Sequence, residues 1–307
     1  MAQVMEERRF HSHPITKLRE GRSALCNDQL ALEEPLEIQI AHGPEWDRQW
    51  KTVAITMRTP GNDRELALGF LVGEGLIHSL DEIEAIYGRG PRYGAEGWQH
   101  SVRVALRPGF AIDLNRLQRN FYTTSSCGVC GKTSLEALEL NACPPLTPPG
   151  RQVKASVVCG LPEHLREAQS VFERTGGLHA AGLFTFTGQA LVVREDVGRH
   201  NAVDKVIGSQ FLGGRKPPFD DLLVVSGRAS FELMQKALAS GIPILVAVGA
   251  PSSLAVEVAE KFGATLVGFT KARGFNIYTG TGRIEMDLGE SGSDSSVRID
   301  RMKESVV

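Results

Sequence analysis

The chain has 307 residues, 42% of them hydrophobic and 23% charged, which suits a globular protein of one large or two modest domains. Lys and Arg total 34 against 36 Asp and Glu, so the net charge of −2 excludes a broad basic surface for non-specific nucleic-acid binding. No apolar run reaches the roughly 18 to 20 residues that span a bilayer, and the charged start lacks the apolar segment of a secretory signal, so a cytoplasmic protein without a membrane span is expected.

In chain order, residues 1–14 and 288–307 are polar, carry few core candidates and are expected to be disordered. Alternation at period two predicts strands over 36–40 and 53–57. A helix begins near Asn62 or Asp63 and carries Leu66, Leu68, Phe70, Leu71 and Leu76. A strand over 101–106 and a short helix over 113–119 lead to the polar, glycine-bearing loop 123–132. Four prolines within 141–150 forbid helix and sheet interiors, which makes 143–150 a linker between an α+β domain (15–142) and a second domain (151–287).

Beyond the linker the elements alternate. A helix is predicted over 162–174, strands over 181–187 and 190–194, and a helix over 199–212. Strands over 222–225, 244–248 and 265–269 then enclose helices over 230–239 and 252–262. Continuous β-branched runs between amphipathic helices imply a sheet covered on both faces, a three-layer α/β domain with some parallel pairing.

The five cysteines, Cys26, Cys127, Cys130, Cys143 and Cys159, are odd in number and scattered, which argues for free thiols rather than a disulfide framework. Cys127-Gly-Val-Cys130 has a spacing that serves metal binding, disulfide exchange or sulfur transfer. A zinc site wants a second cysteine or histidine pair, absent here, so no metal is expected; a thioredoxin-like site wants a different local context. Gly128 and Gly131 clear space beside both sulfurs, and Lys132 favours thiolate, which ranks sulfur carriage first, above dithiol exchange and above two purely structural thiols.

Several segments of the second domain suit an anionic ligand. His179 sits among small residues, where a satisfied core histidine is the plainer alternative. Residues 194–205 gather Arg194, Arg199 and His200 around a helix start, where phosphates bind well, although a solvated charged helix has the same composition. Ser226-Gly227-Arg228-Ala-Ser230 follows a strand and precedes a helix, and Gly249-Ala-Pro-Ser-Ser253 repeats that arrangement, so both turns line one crevice. Phe269-Thr270-Lys271-Ala272-Arg273-Gly274 ends a strand with two cations beside an aromatic, suited to phosphate pairing and base stacking.

The loop 125–131, the blocks 177–181, 194–205 and 226–232, and the closing Gly268-Phe269 and 273–279 appear in one order that resembles the formate dehydrogenase accessory sulfurtransferase family, FdhD. The resemblance covers roughly residues 15–282. It implies a persulfide on Cys127, assisted by Cys130, loaded by a cysteine desulfurase and passed to a molybdenum cofactor bearing two guanine dinucleotides, for use by formate dehydrogenase. It also implies that residues 269–274 touch the cofactor, a homodimer, and a cytidine-deaminase-like fold for the second domain. Deaminase chemistry is disfavoured, because the proton-shuttling Glu expected two residues after the histidine is replaced: Ala180 and Ala181 follow His179. The rival readings are a cofactor-binding chaperone with non-catalytic cysteines and a dithiol oxidoreductase.

Overall fold

A computed structural model describes residues 9–92, 97–110, 112, 146 and 150–286. The chain opens with an antiparallel hairpin of β1 (Phe10–Arg19) and β2 (Arg22–Ala31), registered from Phe10 opposite Ala31 to Arg19 opposite Arg22. Residues 10–14, expected to be disordered, are therefore strand. The reason is that the two strands satisfy each other's backbone groups while most of their side chains stay exposed, so no apolar alternation marks them.

Four strands form the next sheet: β3 (Glu34–His42), β4 (Gln49–Arg58), β5 (Ile83–Arg89) and β6 (Ser101–Leu106), in the order β4-β3-β6-β5. Leu36, Ile38, Ile40, Val53, Val102 and Val104 turn to one face and are buried there. They meet α1 (Asp63–Gly73), whose Leu66, Leu68 and Leu71 belong to the same cluster. The wholly buried Arg58 holds the start of this helix, its Nε and Nη2 donating to the two carboxylate oxygens of Asp63 at 2.9 and 3.0 Å.

In the second half, β7 (Val153–Lys154) leads into α2 (Ala155–Glu167) and α3 (Ser170–Thr175), followed by β8 (His179–Phe184), β9 (Ala190–Asp196) and α4 (Arg199–Leu212). Then come β10 (Leu222–Val225), α5 (Phe231–Ala239), β11 (Ile244–Ala247), α6 (Ser253–Lys261), β12 (Thr265–Lys271) and β13 (Gly274–Thr279), and β14 (Ile284–Glu285) pairs with β7. The six-stranded sheet runs β13-β12-β11-β10-β8-β9, parallel from β10 to β12 and antiparallel at both flanks. Alternate residues serve two cores. Leu222, Val224, Ile244 and Val246 cluster with Val158, Leu161 and Leu165 of α2, whereas Leu223, Val225, Leu245 and Ala247 cluster with α4, α5 and α6. Helices thus cover both faces, giving three layers.

The single helix expected over 162–174 is two helices. Pro162 lies inside α2 instead of opening it, because Val158, Leu161 and Leu165 bury a stripe that starts a turn earlier, and the chain turns at Ala168 and Gln169. The two halves of the molecule share one hydrophobic cluster across α1 and α4. Their backbones touch: a Cβ on Gly69 would run into the carbonyl of Asp204, and one on Gly208 into the carbonyl of Glu65.

Candidate functional site

The charged block at the end of β9 is committed largely to the fold. Arg194 donates from Nε and Nη2 to both carboxylate oxygens of Glu65 on α1, at 2.6 and 2.8 Å. Glu195 accepts the amides of Val171 and Phe172 at 3.0 and 2.8 Å and so caps α3 from outside. Buried Asp196 pairs with the buried ammonium of Lys205 at 2.6 Å and accepts the amides of Gly198 at 2.8 Å and Thr59 at 3.2 Å, as well as the carboxamide of Asn201 at 3.0 Å. Lys205 also donates to the Thr59 carbonyl at 2.8 Å. These bonds satisfy each buried charge and tie β9 and α4 to the turn before α1.

Three turns meet at the carboxyl ends of β10, β11 and β12. The Gly249 amide donates to the Gly227 carbonyl and the Phe269 amide to the Gly249 carbonyl, each at 3.0 Å. A Cβ on Gly249 would lie 3.1 Å from the Gly227 oxygen, and one on Gly268 2.9 Å from Pro251, so glycine at these positions lets the turns stack. Phe269 is held at a φ of 53°, in the left-handed region that a bulky residue rarely adopts, and its ring is 46% exposed at the sheet edge. Next to it, buried Thr270 donates to the Ala247 carbonyl at 2.9 Å.

His179 and Ser226 stand where β8 meets these turns. The Ser226 hydroxyl accepts the Ala180 amide at 2.9 Å, and Gly227 leaves the space beside the His179 ring open. Half-buried His179 has its pKa lowered, first by burial and then by Arg199 and His200, so the imidazole is neutral near pH 7. On the other side, His200 approaches the Ser230 hydroxyl at 3.4 Å and the Glu232 carboxylate at 3.8 Å, and these neighbours pull Glu232 down to about 2. Beside His179 opens a cleft of about 610 Å³, walled by Pro162, Leu165, Leu178 and Val248 and bordered by Arg166, Gln169 and Phe172.

Of the residues expected from the sequence to hold a cofactor, His179, Ser226, Gly227, Ser230, His200, Phe269 and Thr270 lie along this edge. Arg199 starts α4 close enough to act on His179. Arg228, Lys271 and Arg273 are exposed, the last two with Ala272 at the connection of the β12–β13 hairpin, where Lys271 pairs with Gly274. Arg194 is directed at Glu65. Cys127 and Cys130 lie outside the described residues, and so does the expected helix over 113–119. Among the described residues no group of three or more His, Cys, Asp or Glu is placed to hold a metal ion. No described helix is long and apolar enough to cross a membrane. Sequence reasoning missed Arg166, Gln169 and Phe172, which follow an ordinary amphipathic pattern and carry no motif.

The sequence and the fold have counterparts in known proteins. The family model described as FdhD/NarQ matches residues 31–285. The chain belongs to the FdhD/NarQ family. A relative from Streptomyces avermitilis, named sulfur carrier protein FdhD, is 47% identical over 289 residues, covering 93% of this chain and 98% of its own. Proteins of the same name from Mycobacterium tuberculosis and Sulfolobus acidocaldarius are 50% and 43% identical, over 84% and 89% of this chain and 92% and 97% of theirs. In three dimensions the chain is similar to a crystal structure assigned as a formate dehydrogenase accessory protein from Desulfotalea psychrophila. The TM-score is 0.65 at 23% identity, over 90% of this chain and 99% of that one, a likeness of fold.

Proposed function

We propose that the protein is a sulfur carrier that accepts sulfane sulfur from a cysteine desulfurase as a persulfide on Cys127. It then passes this sulfur to a molybdenum cofactor bearing two guanine dinucleotides, which a formate dehydrogenase goes on to use. The observation that carries this reading is the family membership, with relatives named sulfur carriers matching over nearly their whole length. The edge of the six-stranded sheet supports the acceptor half of the reaction. Stacked glycine turns, a neutral imidazole at His179 and a cleft beside it suit a large phosphorylated ring compound, a common ligand position in open α/β sheets. The antiparallel β8–β9 pair beside three parallel strands supports the deaminase-like reading of the sheet.

The loading step is redox-neutral. The Cys127 thiolate attacks the outer sulfur of the donor's persulfide, the sulfur–sulfur bond to the donor breaks, and the donor leaves as a thiolate. Cys130 assists, and the protein acts in the cytoplasm as a homodimer. Cells lacking the native gene and supplied with the Cys127→Ala variant should fail to oxidise formate, whereas the wild-type gene should restore it. Full restoration by the variant would defeat the proposal.

A further inference from the structure

The β1–β2 hairpin is held at its root and exposed beyond it. At the root Arg9 donates to the Asn62 carboxamide oxygen at 2.7 Å, and the Arg174 guanidinium lies 5.3 Å from the centroid of the Phe10 ring. From there two ten-residue strands run out to a two-residue turn at Glu20 and Gly21, whose φ values of 50° and 76° are both positive. Two strands alone are marginal in water, and Leu18 and Leu25, neighbours on one face of this arm, are 71% and 86% exposed.

The two edges of the arm differ. The Leu32 amide donates to the Arg9 carbonyl at 2.8 Å, and bonded pairs alternate along an antiparallel ladder, so the even-numbered residues of β2 bond to β1. Ser23, Leu25, Asn27 and Gln29 therefore aim their backbone groups outward. The Gln29 amide agrees with this, being taken by the Asp28 carboxylate at 3.0 Å. On β1 the outward-facing residues include Pro14, which has no N–H to offer in mid-strand. An added strand must come to β2.

The sequence of β2 suits a copy of itself. When two such strands run antiparallel with Leu25 opposite the partner's Leu25, the outward groups of Ser23 meet those of the partner's Asn27, and Arg22 stands opposite the partner's Asp28. Symmetry repeats each pairing. Within the arm Arg22 is opposite Arg19, with Lys17 on the same face, so the partner's carboxylate supplies the anion that this cluster lacks. We propose that β2 pairs antiparallel with β2 of a second copy across a twofold axis at Leu25, joining the two arms in one four-stranded sheet. This rests on the homodimer of the proposed function and adds to it the strand through which the copies meet.

The test is sedimentation equilibrium of the full-length protein beside Arg22→Glu, Asp28→Arg and the double variant, after circular dichroism shows each folded. Wild type should sediment as a dimer. Each single variant sets like charges opposite one another at both symmetric places and should raise the dimer dissociation constant about tenfold. The double variant restores opposite charges and should return the constant close to that of wild type. Ala24→Cys, which faces the partner's Cys26, should form a disulfide between chains under diamide that peptide mapping assigns to positions 24 and 26, whereas Thr16→Cys on β1 should not. A dimer indifferent to charge reversal, a double variant no tighter than the singles, or the absence of the 24–26 link overturns the inference and leaves the homodimer and sulfur carriage intact. A wild type that stays monomeric at every concentration overturns the homodimer with it and leaves sulfur carriage alone standing.

Discussion

Arg194 on β9 grips Glu65 on α1 through two parallel hydrogen bonds of 2.6 and 2.8 Å, joining segments 129 residues apart in sequence. Both side chains are largely shielded from solvent, a geometry in which losing one partner strands the other. Arg194→Ala should lower the unfolding free energy by about 2 kcal/mol in urea titration. Under the proposed function, guanine-nucleotide binding should be the same in this variant and in wild type, since the guanidinium is occupied by Glu65. A tenfold loss of nucleotide affinity at unchanged stability would return Arg194 to the ligand site.

Gly69 and Gly208 sit where α1 and α4 cross with backbones in contact. A methyl group at either position has rigid carbonyl, not a flexible side chain, in its way. Gly208→Ala should destabilise the protein by at least about 2 kcal/mol, or yield insoluble chain. Gly176→Ala is the control. It meets nothing within 4 Å, and its φ of 66° predicts only the smaller cost of left-handed backbone strain.

These two helices also show how far the sequence is legible. The strand over 222–225 and the helix over 199–212 are readable to the residue, because a buried four-residue run and a glycine-bounded helical stripe each leave one solution. The β1–β2 hairpin is not readable, since its strands bury almost nothing. The charges of the 194–205 block are visible as a cluster, but their partners Glu65, Thr59 and the α3 amides arrive only through tertiary packing. A row of charges beside a helix start therefore reads equally well as an anion site and as structural wiring.

Asp204 lies buried 2.7 Å from the Lys236 ammonium, which also faces Glu74 at 3.7 Å, and burial raises its carboxyl from 3.8 to about 6. The native state then holds this proton more tightly than the unfolded chain. Its contribution to stability is complete below pH 3.8 and is lost as pH rises to about 6. Asp204→Asn should remove that decline. Thermal melts at pH 4 and pH 6.5 should show wild type losing more of this contribution than the variant, and parallel pH dependence would count against a raised Asp204.

Phe269 combines a φ of 53° with a half-exposed ring, a costly arrangement for an aromatic residue. Phe269→Gly should raise stability by about 0.5 to 1 kcal/mol by releasing the left-handed strain. If the ring stacks on a ligand at the sheet edge, the same change should weaken guanine-nucleotide binding. Opposite signs for stability and affinity would identify the strain as maintained for binding.

Sulfur carriage requires that Cys127 take up a sulfur atom. Intact mass spectrometry of the full chain, after incubation with a cysteine desulfurase and cysteine, should show a gain of one sulfur mass that reductant removes and that peptide mapping assigns to Cys127. An unmodified chain, or sulfur found only on Cys26, Cys143 or Cys159, would contradict it.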